Sequence, residues 1–288
     1  MTRATSPNGR TRRRPRLPAW TRLATHLILA VGALAMIGPF VWSTLTSFKT
    51  LGEAFQVPPT ILPEQLRWEN YAQVFTQLPF LAFYENTIIV TAVKVVGVLI
   101  TSSLAGYAFA RIDFPGRNVL FALYLAVLMV PYQIFLLPQF LIMAKLGWVN
   151  TLLALIVPGL FDAFGTFLLR QFFMGLPREL EDAAKIDGCN HFQIYWRIML
   201  PLAKPGLIAL AIFTFLWSWN DFLWPLVVIN SPEKMTLGAG LAFLQGQYLT
   251  DFPLLMAGAM LSTLPVIAVF VVLQRQFVEG VASTGIKG

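Results

Sequence analysis

Half of this 288-residue chain lies in six long apolar runs, at about 23–47, 86–109, 119–143, 151–173, 206–229 and 253–273. A helix of about 20 apolar residues crosses the hydrocarbon core of a bilayer. In lipid the backbone must satisfy its own polar groups, so runs of this length fold as helices. Only Lys94, Asp162, Arg170 and Asp221 are charged within them. The whole chain is 12% charged, about half the share of a soluble domain. The expected fold is an all-α integral membrane protein with six transmembrane helices over residues 23–277. A basic tail (1–22) precedes it and a short tail (278–288) follows. This excludes a disordered chain and an ordinary cytosolic enzyme. A single cysteine, Cys189, excludes a disulfide scaffold. The Arg12–Arg13–Arg14 run looks only superficially like a twin-arginine signal. The apolar run after it is too long for a signal core and no A-x-A site follows, so a retained anchor is expected.

The net charge of +7 could point to nucleic acid, but its placement points to topology. With the amino terminus inside, sixteen Lys and Arg fall on the cytoplasmic side. Four (Lys49, Arg67, Lys145 and Lys234) fall outside. That bias predicts a multi-pass protein of the cell membrane with both termini cytoplasmic. The lipid bilayer is then its surroundings, and no nucleic-acid partner is expected. The segment 174–205 also faces the cytoplasm.

That segment is the most patterned part of the chain. Pro177 suits a helix start, and Glu179, Glu181 and Asp182 suit the positive helix N-terminus. Leu180, Ala183, Ala184 and Asp187 are spaced to share one face, where two alanines permit close approach by another surface. Gly188 suits a left-handed residue ending the helix. Asn190 and Gln193 form a capping-box pattern for a second helix, which Pro201 and Pro205 should stop. Physical pattern alone leaves two readings open: a solvated helix lying on the membrane, or a docking helix.

The spacing Ala183-Ala184-x3-Gly188-x9-Ile198-x-Leu200-Pro201 resembles the EAA loop of the membrane subunits of binding-protein-dependent ABC importers. Asp182 stands where that family usually has Glu. Arg111-Ile-Asp-Phe-Pro-Gly-Arg117, Trp219-Asn-Asp-Phe-Leu-Trp-Pro225 and the tail Gln274–Gly280 through Gly285–Gly288 are similar to the carbohydrate branch, specifically its six-span, maltose-type short permease. The resemblance covers about 20–288. It implies an EAA loop at about 177–205 that seats its helix in a cleft of a cytoplasmic ATPase. Glu181, Asp182, Ala183, Ala184, Asp187, Gly188, Ile198, Leu200 and Pro201 are then the ATPase-coupling residues. It implies half of a translocation pathway for a sugar, a second permease, two ATP-binding subunits and an extracytoplasmic sugar-binding protein. It also implies that the C-terminal tail reaches the ATPase interface, with Cys189 as small filler facing that subunit. The chain has no G-x-x-x-x-G-K-[ST] loop, so it is not itself expected to be an enzyme. No cofactor is expected on it, and ATP and Mg belong to the partner ATPase.

Ionisable residues inside spans need a partner or a wet cavity. Lys94 and Asp221 each lie eight residues from an outer span end, roughly 12 Å deep. They can face one cavity and pair. Alternatively, Lys94 snorkels outward and Asp221 caps a backbone break. Pro225 cannot donate to the Asp221 carbonyl. With Asn220 and Trp219, that carbonyl suits a site for sugar hydroxyls, whereas an aromatic belt or helix packing would use the same tryptophans. Asp162, central in the fourth run, should hydrogen-bond a neighbour and serve structure or gating. These five residues are the expected substrate pathway. Proline at 39, 131, 138, 158 and 265 predicts kinks. No metal is expected, since His26 and His191 stand apart and no H-E-x-x-H exists; no G-x-S-x-G supports acyl chemistry. The alternative function is an ion-coupled secondary transporter that uses Lys94, Asp162 and Asp221 as a relay.

Overall fold

The computed structural model describes residues 19–245 and 250–285. The basic tail before residue 19 and the last three residues of the C-terminal motif lie outside the described residues. Among those described, everything regular is helical apart from one isolated bridge between Gln245 and Thr250. Six helices organise the chain: α1 (Ala19–Ser47), α2 (Phe80–Arg111), α3 (Ala163–Met174), α4 (Glu179–Ile186), α5 (Lys204–Trp219) and α6 (Phe252–Gly285).

Four stretches are long and apolar enough to cross a membrane: Leu23–Ser47, Phe80–Arg111, Leu152–Met174 and Phe252–Gln274. The total reaches six only if each of two bent pairs counts as one crossing. The third apolar run is therefore not one straight helix, because Arg117–Met129 and Tyr132–Lys145 meet at 96°. The cause is Pro131. Its ring disfavours helical backbone in the preceding residue, and Val130 is extended, at φ −95° and ψ 124°. The fifth run breaks as well, into α5 and a short helix Leu223–Val228. Pro39 and Pro265, in contrast, lie inside unbroken helices. Neighbouring groups can satisfy the carbonyl a proline frees in such a setting.

Two clusters hold the bundle. One gathers Phe80, Phe83, Leu155, Trp224, Leu237 and Leu254 near the start of α2. The other gathers Tyr107, Leu169, Phe173, Ala184, Ile194 and Tyr195 around its end. Between helix starts, the segment after α1 is tied by side chains. Lys49 is buried over the Trp42 ring and donates to the Thr60 carbonyl. Glu53 accepts the backbone N–H groups of Thr50 and Glu64 at 2.6 and 2.7 Å, which holds its carboxyl below the usual range.

The segment after α3 follows its local signals closely. Gly188 is left-handed, at φ +80°. The Cys189 N–H reaches the Ala184 carbonyl at 2.9 Å and the Gly188 N–H reaches Lys185 at 3.0 Å. This pair of bonds is the Schellman ending of a helix. Asn190 and Gln193 exchange both capping-box bonds, at 2.8 and 2.9 Å. Pro201 does not stop the second helix, contrary to expectation. A π-helical turn, Tyr195–Met199, runs just before it, which widens the backbone where a proline ring would crowd it. The chain bends by 76° at Ala203 instead, and Pro205 opens α5.

Candidate functional site

Three backbone breaks converge on Lys94. The first is at Pro131, before Tyr132. The second is the tight Val157–Leu160 turn ahead of α3, and the third is the gap Asn220–Phe222 after α5. Together they frame a cavity of about 590 Å³ lined by Lys94, Tyr132, Asp162, Trp217, Ser218 and Asp221 among others.

The break ahead of α3 leaves polar backbone groups that side chains then satisfy. Asp162 caps α3, with its carboxylate accepting from Phe164 N at 3.1 Å and Gly165 N at 2.9 Å. α2 supplies hydroxyls: Thr101 donates to the Leu160 carbonyl at 2.6 Å, and Ser102 contacts the Asp162 carbonyl at 3.5 Å. Thr91 meets Ser218 at 3.1 Å. Non-helical backbone at membrane depth is tolerated where it is buried in protein or lines a cavity. Asp162 thus caps the helix that follows the break while also lining the cavity.

Lys94 is buried, and its Nζ lies 3.5 Å from Asp221 Oδ2. Asp221 therefore pairs with Lys94; it sits at a backbone break, but the helix that follows the break has no side-chain cap. Gly159 makes the approach possible, since a Cβ there would fall 2.8 Å from Lys94 Cε. Two expected pathway residues are placed elsewhere. Trp219 is buried and donates to the Ser262 carbonyl of α6 at 3.1 Å, stacked on Phe215. Asn220 turns back to the Leu216 carbonyl at 2.8 Å. Neither lines the cavity. Helical geometry explains the exchange. Trp217 and Ser218 lie on the face of α5 toward the cavity, and Trp219 is rotated by about 100° from Ser218.

Leu180, Ala183 and Asp187 of the expected α4 face are exposed, but Ala184 is not. Glu181 and Ala184 point inward, only 4% and 5% exposed. The Glu181 carboxylate meets Arg111 Nε at 3.1 Å, as an ion pair rather than a well-aligned hydrogen bond. The outward face is Asp182, Ala183, Ile186 and Asp187. Ile186, 87% exposed, is the large apolar side chain there that the sequence reading passed over. A lone exposed isoleucine in a helix of mixed charge was its only signal. Cys189 packs against the inner cluster rather than outward. Ile198 and Leu200 are half-buried against the same cluster, and Pro201 is exposed.

Gly188 earns its conservation of shape through φ alone. A Cβ at 188 would meet nothing within 4 Å, so only the left-handed backbone selects the residue, at about 1–2 kcal/mol for an ordinary side chain. Gly188→Asn should therefore behave nearly as the parent, and Gly188→Val should not. The measurement is the yield and thermal stability of the purified protein. Equal behaviour of the two variants would refute the left-handed requirement at residue 188.

A polytopic bundle with interrupted helices around a polar cavity, and a capped helix pair outside it, is the build of a membrane transport subunit. The sequence pattern described as "binding-protein-dependent transport system inner membrane component" matches residues 97–283. The chain belongs to that family. It is 40% identical over 259 residues to the arabinooligosaccharide transport system permease protein of Halalkalibacterium halodurans, covering 89% of this chain and 93% of the relative. It is 32% identical to the sn-glycerol-3-phosphate transport system permease protein of Yersinia enterocolitica, over 90% of this chain and 95% of the relative. A chain of a bacterial ABC transporter involved in import of the acidic polysaccharide alginate superimposes with a TM-score of 0.79. That match has 25% identity and covers 91% of this chain and 99% of the other.

Proposed function

We propose that this chain forms half of the translocation pathway of an ABC importer for a carbohydrate, and that α4 couples it to a separate ATPase. The observation that carries the coupling reading is the outward face of α4, where Ile186 stands 87% exposed between Ala183 and Asp187. Burying such a side chain in a partner's cleft would stabilise docking, and the acids beside it suit a basic rim. Partners follow from the family: a second permease, two ATP-binding subunits carrying ATP and Mg, and an extracytoplasmic binding protein. Orientation follows from the Lys and Arg bias, with both termini cytoplasmic and the multi-pass domain in the cell membrane. Sugar transport is supported by relatives named for arabinooligosaccharides and lactose. Hydroxyls and aromatic rings around the cavity suit such a cargo, which also has apolar faces.

The test is a docking variant. Ile186→Asp should cost about 2 kcal/mol or more in ATPase affinity, the scale of a central apolar anchor. ATP-binding subunits would then be lost from the purified complex while the permease still assembles. Full retention of those subunits would overturn the docking face. Uptake by vesicles that persists without ATP and collapses with an uncoupler would instead establish the ion-coupled relay through Lys94, Asp162 and Asp221.

A further inference from the structure

Arg111 is the last residue of α2, yet its guanidinium is not at a surface. Its side chain is 3% exposed, and that of Glu181 is 5% exposed. Arg111 Nε donates to the Phe173 carbonyl at 3.0 Å, and Nη2 donates to the Phe173 and Leu176 carbonyls. The Phe173 carbonyl lies in the last turn of α3, where it also accepts the Leu176 N–H at 3.2 Å, and Leu176 lies two residues beyond that helix. Nε also faces Glu181 Oε1, at 3.1 Å, in the first turn of α4. One planar cation thereby joins the ends of α2 and α3 to the start of α4. A second tie runs beside it. Ser103 of α2 bonds the Tyr195 hydroxyl at 2.7 Å, and the Tyr107 ring packs against both Phe173 and Tyr195.

We propose that Arg111 and Glu181 form a positioning pair that locks α4 onto the end of α2, so that displacement of α4 travels along α2 to the cavity. The proposal rests on α4 being the ATPase-docking helix. Without the pair, α4 keeps only the packing of Ala184 against the inner cluster and its chain connections on either side. With the pair, a rigid fork bonded to two carbonyls and paired with a carboxylate resists rocking, a planar arrangement that a lysine ammonium does not reproduce. The other end of the lever is already in place. Lys94 lies seventeen residues up the same unbroken helix, about 25 Å away, and faces Asp221 across the cavity. Glu181 is then an inward tether, distinct from the outward docking residues Asp182, Ala183, Ile186 and Asp187.

The experiment uses the fully assembled transporter in proteoliposomes, with Glu181→Gln and Arg111→Lys. Glutamine preserves shape, and Arg111 keeps its two carbonyl acceptors, so the complex should assemble. ATPase retention should match the parent, while substrate moved per ATP hydrolysed falls by about tenfold, within the range of coupling between distant sites. Arg111→Lys should shift the ratio in the same direction, and where that variant fails to assemble, Glu181→Gln decides. Unchanged transport per ATP in Glu181→Gln overturns the proposal. So does loss of ATPase subunits equal to that of Ile186→Asp, which would put Glu181 on the docking face. If Ile186→Asp keeps its ATPase while Glu181→Gln uncouples, the docking face is wrong and the tether stands.

Discussion

Gly106→Leu is expected to prevent the bundle from forming, whereas Gly32→Leu should leave it intact. A Cβ at Gly106 would lie 3.0 Å from the Arg170 backbone nitrogen, 3.1 Å from Leu169 Cβ and 3.3 Å from the Leu169 carbonyl carbon. Two of those atoms are backbone, and Leu169 is fully buried. No rotamer change can clear them, so α2 and α3 must separate. Overpacking an adaptable core costs about 1–3 kcal/mol, and a contact against backbone should exceed that. The damage also reaches the function, because α3 starts at the Asp162 cap and ends on the Arg111 carbonyl contacts. A Cβ at Gly32 meets nothing within 4 Å, so that variant controls for added bulk in a membrane helix. Yield and thermal stability of the purified permease are the measurements. A Gly106→Leu protein as stable as the Gly32→Leu control would mean that α2 and α3 do not approach this closely.

The second large effect concerns the ion pair. Either Lys94→Asp or Asp221→Lys alone should reduce ATP-driven uptake severely, and the double reversal should recover much of it. Removing one member of a buried pair strands the other at about 3–5 kcal/mol; placing like charges together adds repulsion. The cavity of about 590 Å³ beside the pair admits water and lowers that cost, so the protein should still assemble. Uptake, not yield, is then the sensitive readout. Gly159 supplies an independent check. Gly159→Val would push its Cβ to 2.8 Å from Lys94 Cε, displacing the lysine without altering any charge. It should resemble the single reversals. Should the double reversal rescue nothing, the contact between Lys94 and Asp221 has no part in transport.

Features built from near neighbours were legible in the residues. The capping box at Asn190 and Gln193 and the left-handed Gly188 each depend on contacts within five positions. Span-forming runs were legible because lipid imposes one solution on a long apolar segment. Pro131 was legible as a kink but not as a 96° break, because the angle depends on what the two halves pack against. The α4 face was legible only in part for a related reason: Leu180, Ala183 and Asp187 are exposed but Ala184 is buried. Its 3.6-residue period orders the side chains around the axis but does not say which side meets α2. Arg111 decides that, and it lies about seventy residues before Glu181 in the chain.

The tryptophans of the fifth run divide along the same line. Trp217, Trp219 and Trp224 all lie within three residues of the gap Asn220–Phe222, and no local rule separates them. In the fold, Trp217 lines the cavity, Trp219 bonds α6, and Trp224 donates to the Ala154 carbonyl at 2.8 Å. By itself, then, the sequence determined that the chain is a helical membrane protein, where its helices end by local capping, and which charges need partners. Tertiary structure decided what was left open: Lys94 pairs with Asp221 rather than reaching outward, and Arg111 takes two carbonyls and Glu181. The physical reason is range. Capping and lipid burial act over one helical turn or one residue's surroundings, whereas an ion pair between distant segments exists only once three or four helices have packed.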